Sequence, residues 1–253
     1  MAVCIKCAIV WQLESQAWAK ITPDDVGNEA SHQLAKESAL QGMVLMRNEN
    51  AALPLRRGKV TAVLGPLANA TLALASRYYD AVCPGPMHPK LPWAKGQRAS
   101  GCIRSPLQQL RERGRVIHAA GIECDSDRPG NHCVGDTSTA LFGEAIAAAK
   151  QADQVVFFVG TDHSIETEGT DRQTLGLPGA QPALLAAVRA AIPNRPIVIV
   201  LLNGGAIAMD SFAPPAKNAV SDALVESFFP GIEGAEALAC ALYGEPGCNR
   251  WGR

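Results

Sequence analysis

The chain contains no apolar run near the roughly 18 residues that a membrane helix needs, so nothing in it calls for a membrane partner. It also lacks a charge surplus. The 23 basic and 24 acidic residues are interspersed and leave a formal net charge of -1, without the basic footprint of a nucleic-acid binder. No GxGxxG follows any predicted strand, and GxxxxGK[ST] is absent, which removes two common phosphate cradles of α/β folds. There is no GxSxG elbow for a serine hydrolase and no HExxH or paired-histidine spacing for a metal. The motifs therefore call for no cofactor.

What the chain does have begins with eight cysteines, many for a reducing cytosol. Cys4 and Cys7 are spaced CxxC, but no second pair stands at zinc-ribbon spacing. Cys124 and Cys133 are the best candidates for a local disulfide, closing a short polar loop. Residues 1–19 sketch a signal peptide ending at Ala17-Trp18-Ala19, although Lys6, Gln12 and Glu14 break its apolar region. Asn69-Ala70-Thr71 is a glycosylation sequon, relevant only in a secreted protein.

Apolar runs at 59–66, 116–118, 155–159, 196–202 and 223–229 read as buried strands. Helical patterns separate them. Asn28 is placed to cap a helix to about Gln41, with Leu34, Ala35, Ser38 and Ala39 as its inner stripe. Others are expected at 107–113, from a cap at Thr137 or Ser138 to Ala152, at 179–192 with Pro182 in the first turn, and at 233–243 before Gly244. Residues 43–46 form a short apolar run, 48–57 read as loop, and 67–106 as a long excursion over the sheet edge. Strands alternating with helices, too few for a closed barrel, predict an α/β fold. The expectation is an open, doubly wound, mainly parallel sheet sandwiched by helices.

One stretch concentrates the chemistry. Residues 154–179, QVVFFVGTDHSIETEGTDRQTLGLPG, pass from a buried strand into a loop bearing Asp162, His163, Glu166, Glu168, Asp171 and Arg172. Ionisable groups just past the carboxyl end of a strand stand where open α/β sheets put their sites. In an extended segment Glu166 and Glu168 point the same way, and two close carboxylates raise the proton affinity of one, as a general acid requires. Asp171 and Arg172 can pair locally. The plainer alternative is a structural carboxylate–arginine cluster.

The chain resembles the second domain of glycoside hydrolase family 3, the (α/β)6 sandwich that follows a catalytic barrel. Five segments carry the likeness in the family's order: LAKESALQGMVLMRNENAALPL at 34–55, VLGPLANAT at 63–71, SPL at 105–107, ETEGTDRQTLGLPGAQ at 166–181 and FPGIEGAEALACALYG at 229–244. The wording SIETE and the Cys124/Cys133 loop look more like the β-xylosidases of plants and fungi than the bacterial β-glucosidases.

The resemblance implies a hydrolase module for terminal β-linked xylose or glucose, with a β-linked oligosaccharide or glycoside as ligand. It also implies a family 3 barrel domain as partner, in cis or in trans. A barrel aspartate is the expected nucleophile, and a sandwich glutamate the acid/base that protonates the leaving oxygen. Retention requires the two carboxyls about 5–5.5 Å apart. Glu168 takes the acid/base role by motif, with Glu166 the near competitor. Asp171 and Arg172 are implied to orient the loop, His163 and Tyr78 to meet substrate. The likeness and the cysteines favour an extracellular setting, although residues 1–19 make a poor signal peptide.

The departures matter as much. No aspartate stands in the family's nucleophile setting, the motif around Tyr78 is altered, and 245–252 read EPGCNRWG where a conserved tail is expected. The expected division is a linker left from an absent barrel at 1–27, the sandwich at 28–244 and a truncated tail at 245–253. A module inactive alone is the first reading. The alternative is a non-catalytic carbohydrate-binding or interaction domain, or an incomplete fragment.

Overall fold

The computed structural model describes residues 15–22, 28–75, 103–123, 133–210, 212 and 220–248. Tyr78, Cys124, most of the 67–106 excursion and most of the signal-like region lie outside them. The chain forms two compact units, residues 1–34 and 35–253. In the first, Ala17–Lys20 is a 3-10 turn, and Asn28 caps a helix start by accepting the Ser31 N–H at 2.9 Å. That helix, α1 (Glu29–Gly42), runs through the boundary. Its buried positions are Ala39 and Leu40, whereas Leu34 is 68% exposed, so the expected stripe lies one step further round.

The second unit holds six strands: β1 (Val44–Asn48), β2 (Val60–Leu64), β3 (Arg115–Ala119), β4 (Gln154–Gly160), β5 (Ile197–Leu202) and β6 (Ala223–Glu226). Their spatial order is β1-β6-β5-β4-β2-β3, parallel throughout except for β1, which runs antiparallel to β6. The apolar run expected at 43–46 is a strand, β1, which extends into the stretch expected as loop. Its five residues alternate only partly in burial, and a register shift between Leu45 and Arg47 breaks the period that would betray a strand.

The remaining helices are α2 (Pro106–Arg113), α3 (Phe142–Gln151), α4 (Gln181–Ala191) and α5 (Gly234–Leu242). Alternate side chains of the parallel strands enter two cores. Val63, Val156, Phe158, Val198 and Val200 pack with α1, α2 and α5 on one face. Leu64, Val155, Phe157, Ile197 and Ile199 pack with α3 and α4 on the other. Each fully buried phenylalanine of β4 contributes roughly 2 kcal/mol by leaving water. The doubly wound sandwich is as expected.

Local signals explain most helix starts. Ser105 and Gln108 form a reciprocal capping box ahead of Pro106. Thr137 and Ser138 do not cap α3: the Ser138 hydroxyl accepts from Ala140 N in a turn before the helix, which begins later at Phe142. Pro182 stands in the first turn of α4 and Gly244 ends α5 with φ +60°.

Candidate active site

The chain reverses its winding between β2 and β4, the place where open sheets leave a crevice. Here the backbone itself occupies it. The Leu67 N–H donates to Phe158 O at 3.2 Å, and a Cβ on Gly65 would stand 2.2 Å from that oxygen. The cavity lies instead past the carboxyl ends of β4, β5 and β6. It has a volume of about 170 Å³ and is lined by Thr161, Glu166, Gly204, Gly205 and Phe229.

The loop from β4 to α4 is secured at both ends by Gln181, which is fully buried. Its side-chain oxygen accepts the Gly160 N–H at 2.8 Å, and its amide donates to Gly160 O at 2.9 Å and Val134 O at 3.0 Å. Gly160 is required there, because a Cβ would stand 1.9 Å from Leu202 O. Within the loop, Asp162 is buried and accepts the Ser164 N–H at 2.9 Å, starting a turn in which Ile165 and Glu166 donate to Asp162 O. Thr167 and Thr170 then exchange backbone hydrogen bonds at 3.0 and 2.9 Å around Gly169, whose φ is +80°.

That turn overturns the extended segment expected for 166–168. A left-handed glycine folds the chain back, leaving Glu168 exposed at the apex while Glu166 faces the cavity. Arg172 pairs with Glu166, its Nε donating to Oε2 at 2.7 Å, rather than with its neighbour Asp171, which is exposed. The fold-back brings the arginine beside the earlier glutamate. Its Nη2 donates to Ala206 O at 2.8 Å, and Nη1 is buried with no hydrogen-bond partner among the described residues. The His163 ring lies 5.6 Å from that of Phe229, tilted by 38°.

The sequence reading missed the other half of the site. Gly204 and Gly205, just past β5, line the cavity opposite the β4 loop. A Cβ on Gly204 would stand 2.9 Å from the Phe229 ring, and one on Gly205 2.8 Å from Glu166 Oε2 and 2.9 Å from Arg172 Nη2. Asn203 is 1% exposed. Its Nδ2 donates to Gly205 O at 2.9 Å and to Glu226 Oε2 at 3.4 Å, leaving Oδ1 without a partner among the described residues. An unpaired buried oxygen costs about 1–3 kcal/mol. Burial pushes the Glu226 carboxyl up, against hydrogen bonds from Phe228 N–H, Asn203 and Ser227 N–H. A glutamate closing a buried strand was the available signal.

Asn69, in the sequon, is exposed and accepts the Ser105 hydroxyl at 2.8 Å. A disulfide joins Cys240 to Cys248, a pair the sequence reading did not single out. Glu236, Cys240 and Glu245 converge within 4.8 Å, but the cysteine is oxidised and both glutamates pair with Arg113, so the donors are already committed.

A model of the glycosyl hydrolase family 3 C-terminal domain matches residues 43–248. Beta-D-xylosidase 1 of Arabidopsis thaliana is 34% identical over 229 residues, covering 90% of this chain and 26% of that protein. Exo-1,4-beta-xylosidase xlnD of Emericella nidulans is 32% identical over 234 residues, covering 92% and 25%. Among solved structures, a GH3 exo-beta-xylosidase (XlnD) in complex with a xylobiose aziridine probe superposes with a TM-score of 0.72 at 31% identity, over 91% of this chain and 26% of that one. The Bifidobacterium adolescentis GH3 beta-glucosidase gives 0.64 at 30% identity, over 89% and 28%. The chain thus spans about a quarter of the length of these relatives.

Proposed function

Because the chain belongs to the glycosyl hydrolase family 3 C-terminal domains, we propose that it supplies the general acid/base for retaining hydrolysis of terminal β-xylosyl or β-glucosyl residues, with Glu166 in that role. The nucleophile then comes from a family 3 barrel domain acting in cis or in trans, and residues 28–244 are the working module. One observation carries the choice of glutamate: Glu166, not Glu168, lines the cavity at the carboxyl end of the sheet.

The chemistry asks for a carboxyl that gives a proton to the departing oxygen and later takes one from water. Glu166 is 35% exposed at its side chain, open on the cavity side and fixed by Arg172 on the other. Donation in the first step requires Glu166 to be protonated when substrate and barrel are in place. The adjacent Phe229 ring offers an apolar face to a sugar.

The test is complementation. The chain is mixed with a family 3 barrel domain, and hydrolysis of an alkyl and a dinitrophenyl β-xyloside is followed. Glu166→Gln should lower the alkyl xyloside rate by about 10²–10⁴. The first step on the dinitrophenyl substrate, whose leaving group departs unprotonated, should be far less affected. Glu168→Gln should leave both rates unchanged. Equal loss on both substrates, or activity surviving Glu166→Gln, would sink the assignment.

A further inference from the structure

The Gly204–Gly205 side of the cavity carries a second layer of order. We infer that Asn203 is a positioning residue for Glu166, anchored by Glu226 and acting through the Gly205–Ala206 backbone; this deepens, and rests on, the reading of Glu166 as acid/base.

Glu166 is not held by its own loop alone. Its oxygen Oε2 rests against Gly205, where a Cβ would stand only 2.8 Å away. Its partner Arg172 is tied to the next residue by the bond from Nη2 to Ala206 O. The position of residues 205–206 therefore sets both the support under the carboxylate and the reach of the guanidinium. That backbone lies just past β5 with no ladder to fix it. The side chain of Asn203 supplies what the ladder does not.

The Asn203 amide spans two elements. One N–H goes to Gly205 O in its own loop and the other to Glu226 at the end of β6. Both neighbours are acceptors, so the amide nitrogen must face them, and the oxygen is left buried without a donor among the described residues. A group kept at that cost, at a strand end beside the cavity, points to a geometric task rather than to stability. Glu226 is anchored in turn, its Oε1 accepting the Phe228 N–H at 2.9 Å. The line of support runs Phe228, Glu226, Asn203, Gly205, Glu166. An alanine at position 203 would break it in the middle; an alanine at 205 would displace the ion pair directly.

The experiment uses the chain alone, without barrel or substrate. Hydrogen exchange of the Arg172 Nε–H is read by nitrogen NMR, and the Glu166 carboxyl midpoint by carbon NMR. Asn203→Ala and Gly205→Ala should each speed Nε–H exchange about tenfold, the effect of loosening the pair by about 1.4 kcal/mol. Glu226→Ala should do the same, and Glu226→Gln, which keeps an acceptor for Asn203 and Phe228, should restore the slow exchange. If Asn203→Ala does not fold, the contrast between Glu226→Ala and Glu226→Gln decides. Unchanged exchange and midpoint in a folded Asn203→Ala chain, or in Glu226→Ala, would overturn the inference. Because no catalysis is measured, Glu166 can fail as acid/base while this result stands, and the reverse.

Discussion

Two arginines with nearly the same burial are used in opposite ways. Arg113, at the end of α2, has a side chain 11% exposed and every nitrogen engaged. Its Nε donates to Glu245 at 3.0 Å, Nη1 to the backbone and side-chain oxygens of Gln109, and Nη2 to both oxygens of Glu236 at 2.8 Å. Lys36 and Arg57 complete the network. Arg172 is 7% exposed, yet Nη1 has no partner among the described residues, and its one carboxylate opens onto the cavity. A saturated network serves the fold. An incomplete one marks where the protein still has interactions to make.

Arg113→Ala is the strongest test of that contrast. It removes the partner shared by two partly buried glutamates, leaving Glu236 to Lys36 and Glu245 to Arg57, and should cost about 3 kcal/mol in urea unfolding, the low end for breaking a buried pair. A loss within the error of the wild type would show the network to be ornamental. Next comes Cys248→Ser, which opens the short loop closed on Cys240 beside the same network and should cost roughly 2 kcal/mol. Arg172→Ala should be milder, about 1 kcal/mol, because Glu166 keeps access to water. If Arg172→Ala destabilised the chain as much as Arg113→Ala, the distinction between them would collapse.

The smallest effect separates the carboxylates by pH. Burial alone pushes Asp222 up, but the Ile197 N–H, Asn50 and Arg189 together hold it low. Glu236 is likewise raised by burial and then held low by Lys36 and Arg113. Both are ionised more readily folded than unfolded, so their contribution is complete above about pH 4.5 and fades as pH falls through the folded values. Glu226 has the opposite sign. Its penalty is absent below about pH 4 and complete above its raised folded value. Glu226→Gln should therefore be more stable than wild type at pH 7, with the gap closing on acidification in denaturant titrations. A gap that widens in acid would refute the assignment.

Legibility from sequence followed the reach of the interactions. β4 and β5 were readable because burial on both faces leaves an unbroken apolar run. The loop after β4 was readable by its position at a strand end. Which of Glu166 and Glu168 faces the cavity was not, because it hangs on a left-handed Gly169 that turns an extended segment into a hairpin. Asn203, Gly205 and Glu226 escaped because their roles come from contacts between different strand ends. Cys240 and Cys248 escaped for another reason. A pair eight residues apart looks no different from the other cysteines until α5 ends and the chain turns back.

The antiparallel edge strand has a consequence for synthesis. Of the six strands β1 is made first, but its pairing partner is β6, roughly 180 residues later, or about 10–35 s at ordinary elongation rates. For that interval an apolar strand waits with no ladder, while β2, β3, β4 and β5 can assemble without it. The sheet therefore closes by capture, its earliest strand docking last, and a nascent chain stopped before residue 223 should hold β1 open to proteases or chaperones. Removing residues 43–48 would spare the inner strands and leave β6 as the new sheet margin.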